Sequence, residues 1–338
     1  MLHGMAIPNT FRCFRIHNDD RGHRSGIEEA SLGELSPGEV TLAVAWSSVN
    51  YKDALAGTGN GRILRSFPLV GGIDVAGHVL RSRDGRWREG DAVLVTGCGL
   101  SETRDGGYSQ YLNLDADDIV ALPDGLDLRQ AMALGTAGFT AALCLLRMEH
   151  NGQKPEAGPI LVTGATGGVG MLAISLLTGA GYQAHALTGK FERLDELTAL
   201  GAASVLDRRT LTMGMRPLES ARWAGAIDCV GDEILGWLTR VIQPRGNIAA
   251  CGMAGGNELH TTVMPFILRA INLLGIAAGS TDYPTRQALW QRLAGPWRPP
   301  HLEQIAANEV GLEDLPGVFE AMLSGKTTGR TLVRIGGD

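Results

Sequence analysis

Residues 160–170 read ILVTGATGGVG. The run Ile160–Thr163 is apolar and β-branched, as expected of a strand buried on both faces. It enters Gly164, and glycines follow at 167, 168 and 170 before an apolar stretch reaching Leu177. Glycines at this spacing let the backbone turn tightly and approach a ligand closely. The helix that follows begins with unpaired N–H groups and the positive end of its dipole, so the segment reads as a pyrophosphate-binding turn. The bare alternative is a glycine-rich strand–helix turn with no ligand.

Strands and helices alternate outward from this turn. A helix is expected over 169–177, a strand over 183–187, a helix over 191–200 and a strand over 204–206. A strand at 226–230, a helix at 233–242, and strands at 247–251 and 273–277 complete the pattern. This order predicts a parallel, doubly wound α/β sheet. The first 125 or so residues read differently, with strands at 11–16, 40–49, 74–80, 92–96 and 108–112 broken by turn residues, as in a compact barrel or sandwich. A long helical stretch over 128–148 leads into the sheet, and after a helix at 286–293 a proline-rich joint, 295–300, leads out of it. The tail holds a helix, Leu315–Leu323, and a strand at 330–335, too little for a separate core. The expected organisation is 1–126, 127–297, and a segment 298–338 that returns to the first domain.

Composition narrows the functional classes. Of 338 residues 44% are hydrophobic and 20% charged, with 47 glycines and a net charge of −6. A nucleic-acid partner is not expected, since no basic run appears. The five cysteines at 13, 98, 144, 229 and 251 form no C-x-x-C pair, which fits reduced thiols in the cytoplasm. The N-terminal stretch lacks a continuous apolar region, and apolar runs break before 18 residues, so neither a secretory signal nor a membrane span is expected. The histidines at 3, 17, 23, 78, 150, 185, 260 and 301 show no ligand spacing.

The cofactor type follows from the second strand of the sheet. An NAD site carries an acid near its end. Here the strand runs out into Thr188-Gly189-Lys190. Lys190, the Thr188 hydroxyl and Arg208 suit a 2′-phosphate, and NADPH is the expected cofactor.

Several further motifs occur in order: WSSVNYKDALAGTGNGRI (46–63), GIDVAG (72–77), ALGTAGFTAALC (133–144), WAGAIDCVGD (223–232), CGMAGG (251–256), TTVMPFILR (261–269) and GRTLVRI (329–335). Together with the glycine turn they resemble the medium-chain dehydrogenase/reductase superfamily, and within it the zinc-independent acrylyl-CoA reductase (NADPH), or quinone oxidoreductase-like, family. The resemblance implies a GroES-like β-barrel catalytic domain joined to a Rossmann domain. Zinc enzymes of the superfamily carry Cys and His at positions that here hold 50–53 and 72–74, so no metal is expected.

The resemblance also implies a set of site residues. Tyr51 holds the cofactor, Thr166, Gly167, Gly168 and Val169 form the turn, and Thr188, Gly189, Lys190 and Arg208 clamp the 2′-phosphate. Met253 and Ile267 line the nicotinamide side, and Arg330 returns to it from the C-terminal strand. Ala278 stands where the family has a serine, leaving only a backbone contact, and Gly71 stands where it has proline. A homodimer paired through the last sheet strand is likewise implied. The chemistry implied is hydride addition to the β-carbon of acrylyl-CoA, for which Asn50 and Tyr51 offer donors to the developing oxyanion. Asp53 would orient Lys52 or a water, or else act as a local turn residue. Arg62 and Arg65 are candidates for CoA phosphates, or solvated loop arginines. Two other readings stay open: a quinone or enone reductase, and a non-catalytic NADPH-binding protein.

Overall fold

The computed structural model describes residues 7–336. His3, the opening of the N-terminal stretch and the outer ends of the 1–126 and 298–338 segments lie outside the described residues. The chain forms two compact units, one of residues 7–136, 279–294 and 303–336, the other of 137–278 and 295–302.

The first unit is built mainly of strands. In order come β1 (Phe11–Asp19), β2 (Gly22–Ala30), β3 (Val40–Val49), helix α1 (Tyr51–Thr58), β4 (Leu69–Val70), β5 (Asp74–Ser82), β6 (Ala92–Thr96), β7 (Tyr111–Leu114) and β8 (Val120–Ala121). β2 was not legible in advance, because its segment GHRSGIEEA is polar and half-exposed. It is fixed by full antiparallel pairing with β1. Leu42, Val44, Val75, Val93, Val95 and Leu112 from β3 and its neighbours fill one core. Phe14 and Phe319 meet edge-on at 5.8 Å in another.

Helix α2 (Leu128–His150) carries the chain into the second unit. It is long and apolar enough to cross a membrane by length and composition, a feature the interrupted apolar runs did not suggest. Most of it is buried in the fold, and Gly135, at φ 49 and ψ −156, breaks it into two helical pieces. Then follow β9 (Ile160–Thr163), α3 (Gly168–Gly179), β10 (Ala184–Thr188), α4 (Leu194–Ala199), β11 (Ser204–Asp207), β12 (Trp223–Asp228), α5 (Asp232–Val241), β13 (Ile242–Ala250), α6 (Met264–Arg269) and β14 (Asn272–Gly275). Six parallel strands run in the order β11-β10-β9-β12-β13-β14. The order reverses at β9, and open α/β sheets bind ligands at such a switch point, beyond the strand ends.

The tail holds α7 (Tyr283–Ala294), α8 (Leu302–Ile305), β15 (Asn308–Val310), α9 (Leu315–Leu323) and β16 (Thr331–Arg334). β16 pairs antiparallel with β3, placing Thr331 opposite Val49. The division differs from 126/127 and 297/298 in three ways. It falls at 136/137, just after the Gly135 break, 279–294 belongs to the first unit, and 298–302 stays with the second. Arg286 explains the second difference: its buried guanidinium donates to the carbonyls of Thr96, Gly279 and Thr281.

Candidate active site

In the second unit the glycine turn follows β9. Gly164 has φ +58, and a Cβ on Gly170 would stand 2.4 Å from the Gly164 carbonyl oxygen, so helix and strand approach as only glycine allows. Gly167 caps α3, and the N–H groups of Gly168 and Val169 begin that helix without an intrahelical acceptor. The Thr166 hydroxyl lies 3.4 Å from that of Thr188, the last residue of β10. The Thr188 hydroxyl accepts the Lys190 N–H at 2.9 Å, and the Arg208 N–H donates to the Thr188 carbonyl at 2.8 Å. A Cβ on Gly189 would lie 3.6 Å from the Arg208 guanidinium. Thr166, Thr188, Gly189, Lys190 and Arg208 are thus gathered at one corner of the sheet. The nearby carboxylate, Asp207 on β11, is held by Arg209 at 2.9 Å. Partial burial, with Arg193 adding to it, lowers the Lys190 pKa. Met253 and Ile267 are 66% and 72% exposed. Ala278 is half-buried at a 3-10 turn, Ala278–Ser280, and offers no side-chain hydrogen bond.

In the first unit the decisive group is one to which the sequence reading gave no role. Asp74 opens β5 and is fully buried. Its carboxylate accepts from the Ser48 hydroxyl at 2.6 Å, the Asn50 amide at 2.7 Å, and the Thr136 hydroxyl and N–H at 2.6 and 3.0 Å. Arg330 stands 3.6 Å away. The signal was a lone aspartate ahead of the small apolar run Val75–Gly77, since buried charges are paired.

Arg330, expected at the cofactor, stands within this network. It is buried and donates to the carbonyls of Ala133 and Val49, the Asn50 side-chain oxygen and the Ser48 hydroxyl, at 2.6–3.2 Å. Each nitrogen of its guanidinium has an interior acceptor, and through Nη1 the residue holds the Asn50 side-chain oxygen. The Asn50 amide is thereby fixed in both senses, its oxygen toward Arg330 and its nitrogen toward Asp74.

Residues 50–53 open a helix directly after β3. Asn50 is the N-cap of α1 and Asp53 closes the capping box, accepting the N–H groups of Asn50 at 2.8 Å and Ile73 at 3.1 Å. Asp53 therefore does not orient Lys52, which pairs with Glu102. Burial, and next the Asp74 charge, raise the Asp53 pKa to about 7. Tyr51, the first residue of α1, is 42% exposed. Arg62 and Arg65 are both exposed. Among the described residues no group of three or more His, Cys, Asp or Glu side chains is arranged to hold a metal.

Comparison with known proteins fits this geometry. An alcohol dehydrogenase GroES-like domain matches residues 36–124 and a zinc-binding dehydrogenase domain matches 168–294. An acrylyl-CoA reductase, AcuI, of Ruegeria pomeroyi is 44% identical, with 96% of this chain and 99% of that protein aligned. The chain belongs to the medium-chain dehydrogenase/reductase superfamily, in its acrylyl-CoA reductase and quinone oxidoreductase-like family. The yhdH oxidoreductase of Salmonella enterica, solved with NADP, superposes with a TM-score of 0.93 at 42% identity, covering 96% of this chain and all of that one. Another member, yhfP of Bacillus subtilis, was solved with NAD at a TM-score of 0.92 and 41% identity, covering 97% of this chain and 100% of that one. The family thus includes structures with either dinucleotide. The chain is an α/β oxidoreductase with a GroES-like domain and a Rossmann sheet.

Proposed function

We propose that this oxidoreductase uses NADPH to reduce the activated C=C bond of acrylyl-CoA, a short 2-enoyl-CoA, to propanoyl-CoA. The observation that carries the cofactor assignment is the corner of Thr188, Gly189, Lys190 and Arg208, with no free acid at the end of β10. The substrate assignment is supported by the 44% identity to AcuI.

NADPH, when bound, supplies the hydride. The first-turn N–H groups of α3 hold its pyrophosphate, and Lys190 and Arg208 hold the 2′-phosphate. Asn50 is held in one orientation by Asp74 and Arg330, and together with Tyr51 it offers donors to the thioester oxygen on which negative charge develops. Arg62 and Arg65 offer charge to the CoA phosphates. The reading includes a site without zinc, since residues 50–53 and 72–74 offer neither Cys nor His. It also includes a homodimer paired through β14 and a cytoplasmic location.

A second reading is favoured by YhfP of Bacillus subtilis, 44% identical and named provisionally as a quinone oxidoreductase. One assay separates them: NADPH oxidation with acrylyl-CoA, crotonyl-CoA and a p-quinone, each at matched concentration. The acrylyl thioester should give the largest kcat/KM. A quinone preferred over both thioesters would replace the first reading with the second, and NADPH binding without turnover of any acceptor would make the chain a binding protein.

A further inference from the structure

Three cysteines from distant parts of the sequence meet in the second unit. Cys229 follows β12 and Cys251 follows β13, and the parallel ladder between those strands runs to Asp228 opposite Ala250. The two cysteines follow that last pair directly, and the Cys251 N–H donates to the Asp228 carbonyl at 2.9 Å. Their sulfurs stand 3.8 Å apart. Cys144, from α2, adds a third thiol against Cys251. Cys144 is buried, while Cys229 and Cys251 are partly exposed. The pair borders the glycine turn: a Cβ on Gly164 would lie 3.3 Å from that of Cys229.

We propose that Cys229 and Cys251 are an oxidisable dithiol, a modification site at which a hydroperoxide closes a reversible disulfide. Neighbouring strands lie about 4.8 Å apart, within the Cα span that a disulfide bridges. The Cys251 sulfur stands 3.8 Å from the Cys229 sulfur and 3.3 Å from the Asp228 carbonyl oxygen, and hydrogen bonding with the Cys144 and Cys229 thiols lowers its pKa, which favours the nucleophilic thiolate. That thiolate attacks the peroxide, forming an S–O bond as the O–O bond breaks, and the departing oxygen takes a proton. Cys229 then loses its proton and attacks the sulfenic sulfur. An S–S bond forms, the S–O bond breaks, and water leaves. Two thiols are oxidised by two electrons, and the peroxide is reduced by the same two. Cys13 and Cys98 compete poorly, because burial pushes both thiols up to about 11. The proposal rests on this thiol geometry and not on the reductase reading, so either can fail alone.

The test treats the reduced full chain with hydrogen peroxide, alkylates the remaining thiols and maps the unreduced digest by mass spectrometry. The expected result is a Cys229–Cys251 linked peptide, two titratable thiols lost per chain, and full recovery of both with dithiothreitol. In Cys229→Ser the linked peptide should vanish. A Cys144–Cys251 link, oxidation confined to Cys13 and Cys98, or an unchanged thiol count overturns the proposal. The map of the unsubstituted protein decides the matter even if a variant folds poorly.

Discussion

Lys190 and Arg208 are the residues proposed to hold the 2′-phosphate, at the end of a strand where an NAD site carries an acid. Replacing either with alanine should raise the KM for NADPH about tenfold or more, the equivalent of one charge-assisted hydrogen bond. The KM for NADH should stay nearly unchanged, as parallel titrations with the two nucleotides will report. Asp53 belongs to the same scale but acts on stability. Its folded pKa is raised to about 7, against an ordinary value of 3.8. Between those values the folded chain keeps a proton that the unfolded chain has released. The Asp53 contribution is therefore fully present in acid and is lost as pH rises through about 7. Its slope is at most about 1.4 kcal/mol per pH unit. Urea midpoints measured across this range should fall less steeply with pH in Asp53→Asn than in the unsubstituted chain; equal slopes would remove Asp53 as the source. Arg330 closes the residue scale. Truncation to alanine strips Asp74 of its buried counter-charge and should destabilise the fold by about 3–5 kcal/mol, read by denaturant unfolding. An unchanged midpoint with a raised KM for NADPH would return Arg330 to the cofactor.

At the scale of elements, the break in α2 is what brings Thr136 to Asp74. Gly135 adopts φ 49, and a Cβ there would stand 2.5 Å from Asp74 Oδ2 and 2.7 Å from the Arg330 guanidinium. Gly135→Ala should lower stability by more than the roughly 1 kcal/mol of a left-handed backbone alone, because it also splits this network. Thermal unfolding checks the first effect and kcat the second. The strands and helices around the glycine turn were legible because buried parallel strands and amphipathic helices carry their own periodicity. Val40–Val49, Ala92–Thr96 and Leu315–Leu323 were read to the residue for the same reason. β2 was not, since a polar strand is defined by its partner β1 rather than by its own pattern. The start of α1 was hidden too: its capping box is Asn50 with Asp53, where the motif is usually sought as Ser or Thr with Glu or Gln. The network of Asp74, Ser48, Asn50, Thr136 and Arg330 spans most of the sequence, so no local spacing could disclose it. Its members were quoted in separate motifs, but only the fold joins them.

For the whole molecule, the two units divide the labour that conjugate reduction requires. One carries the glycine turn at a sheet's switch point, where the proposed reading seats the dinucleotide; the other carries an asparagine locked in orientation between a buried acid and a buried arginine. Fold alone does not choose the acceptor, but the destination of one transferred hydrogen does. The most direct measurement is turnover of acrylyl-CoA with NADPH deuterated at the transferring face of C4, followed by NMR of the product. Propanoyl-CoA should carry a single deuterium on C3, with the new hydrogen at C2 drawn from solvent. Deuterium at C2, or propanoyl-CoA free of label, would contradict the proposed reduction.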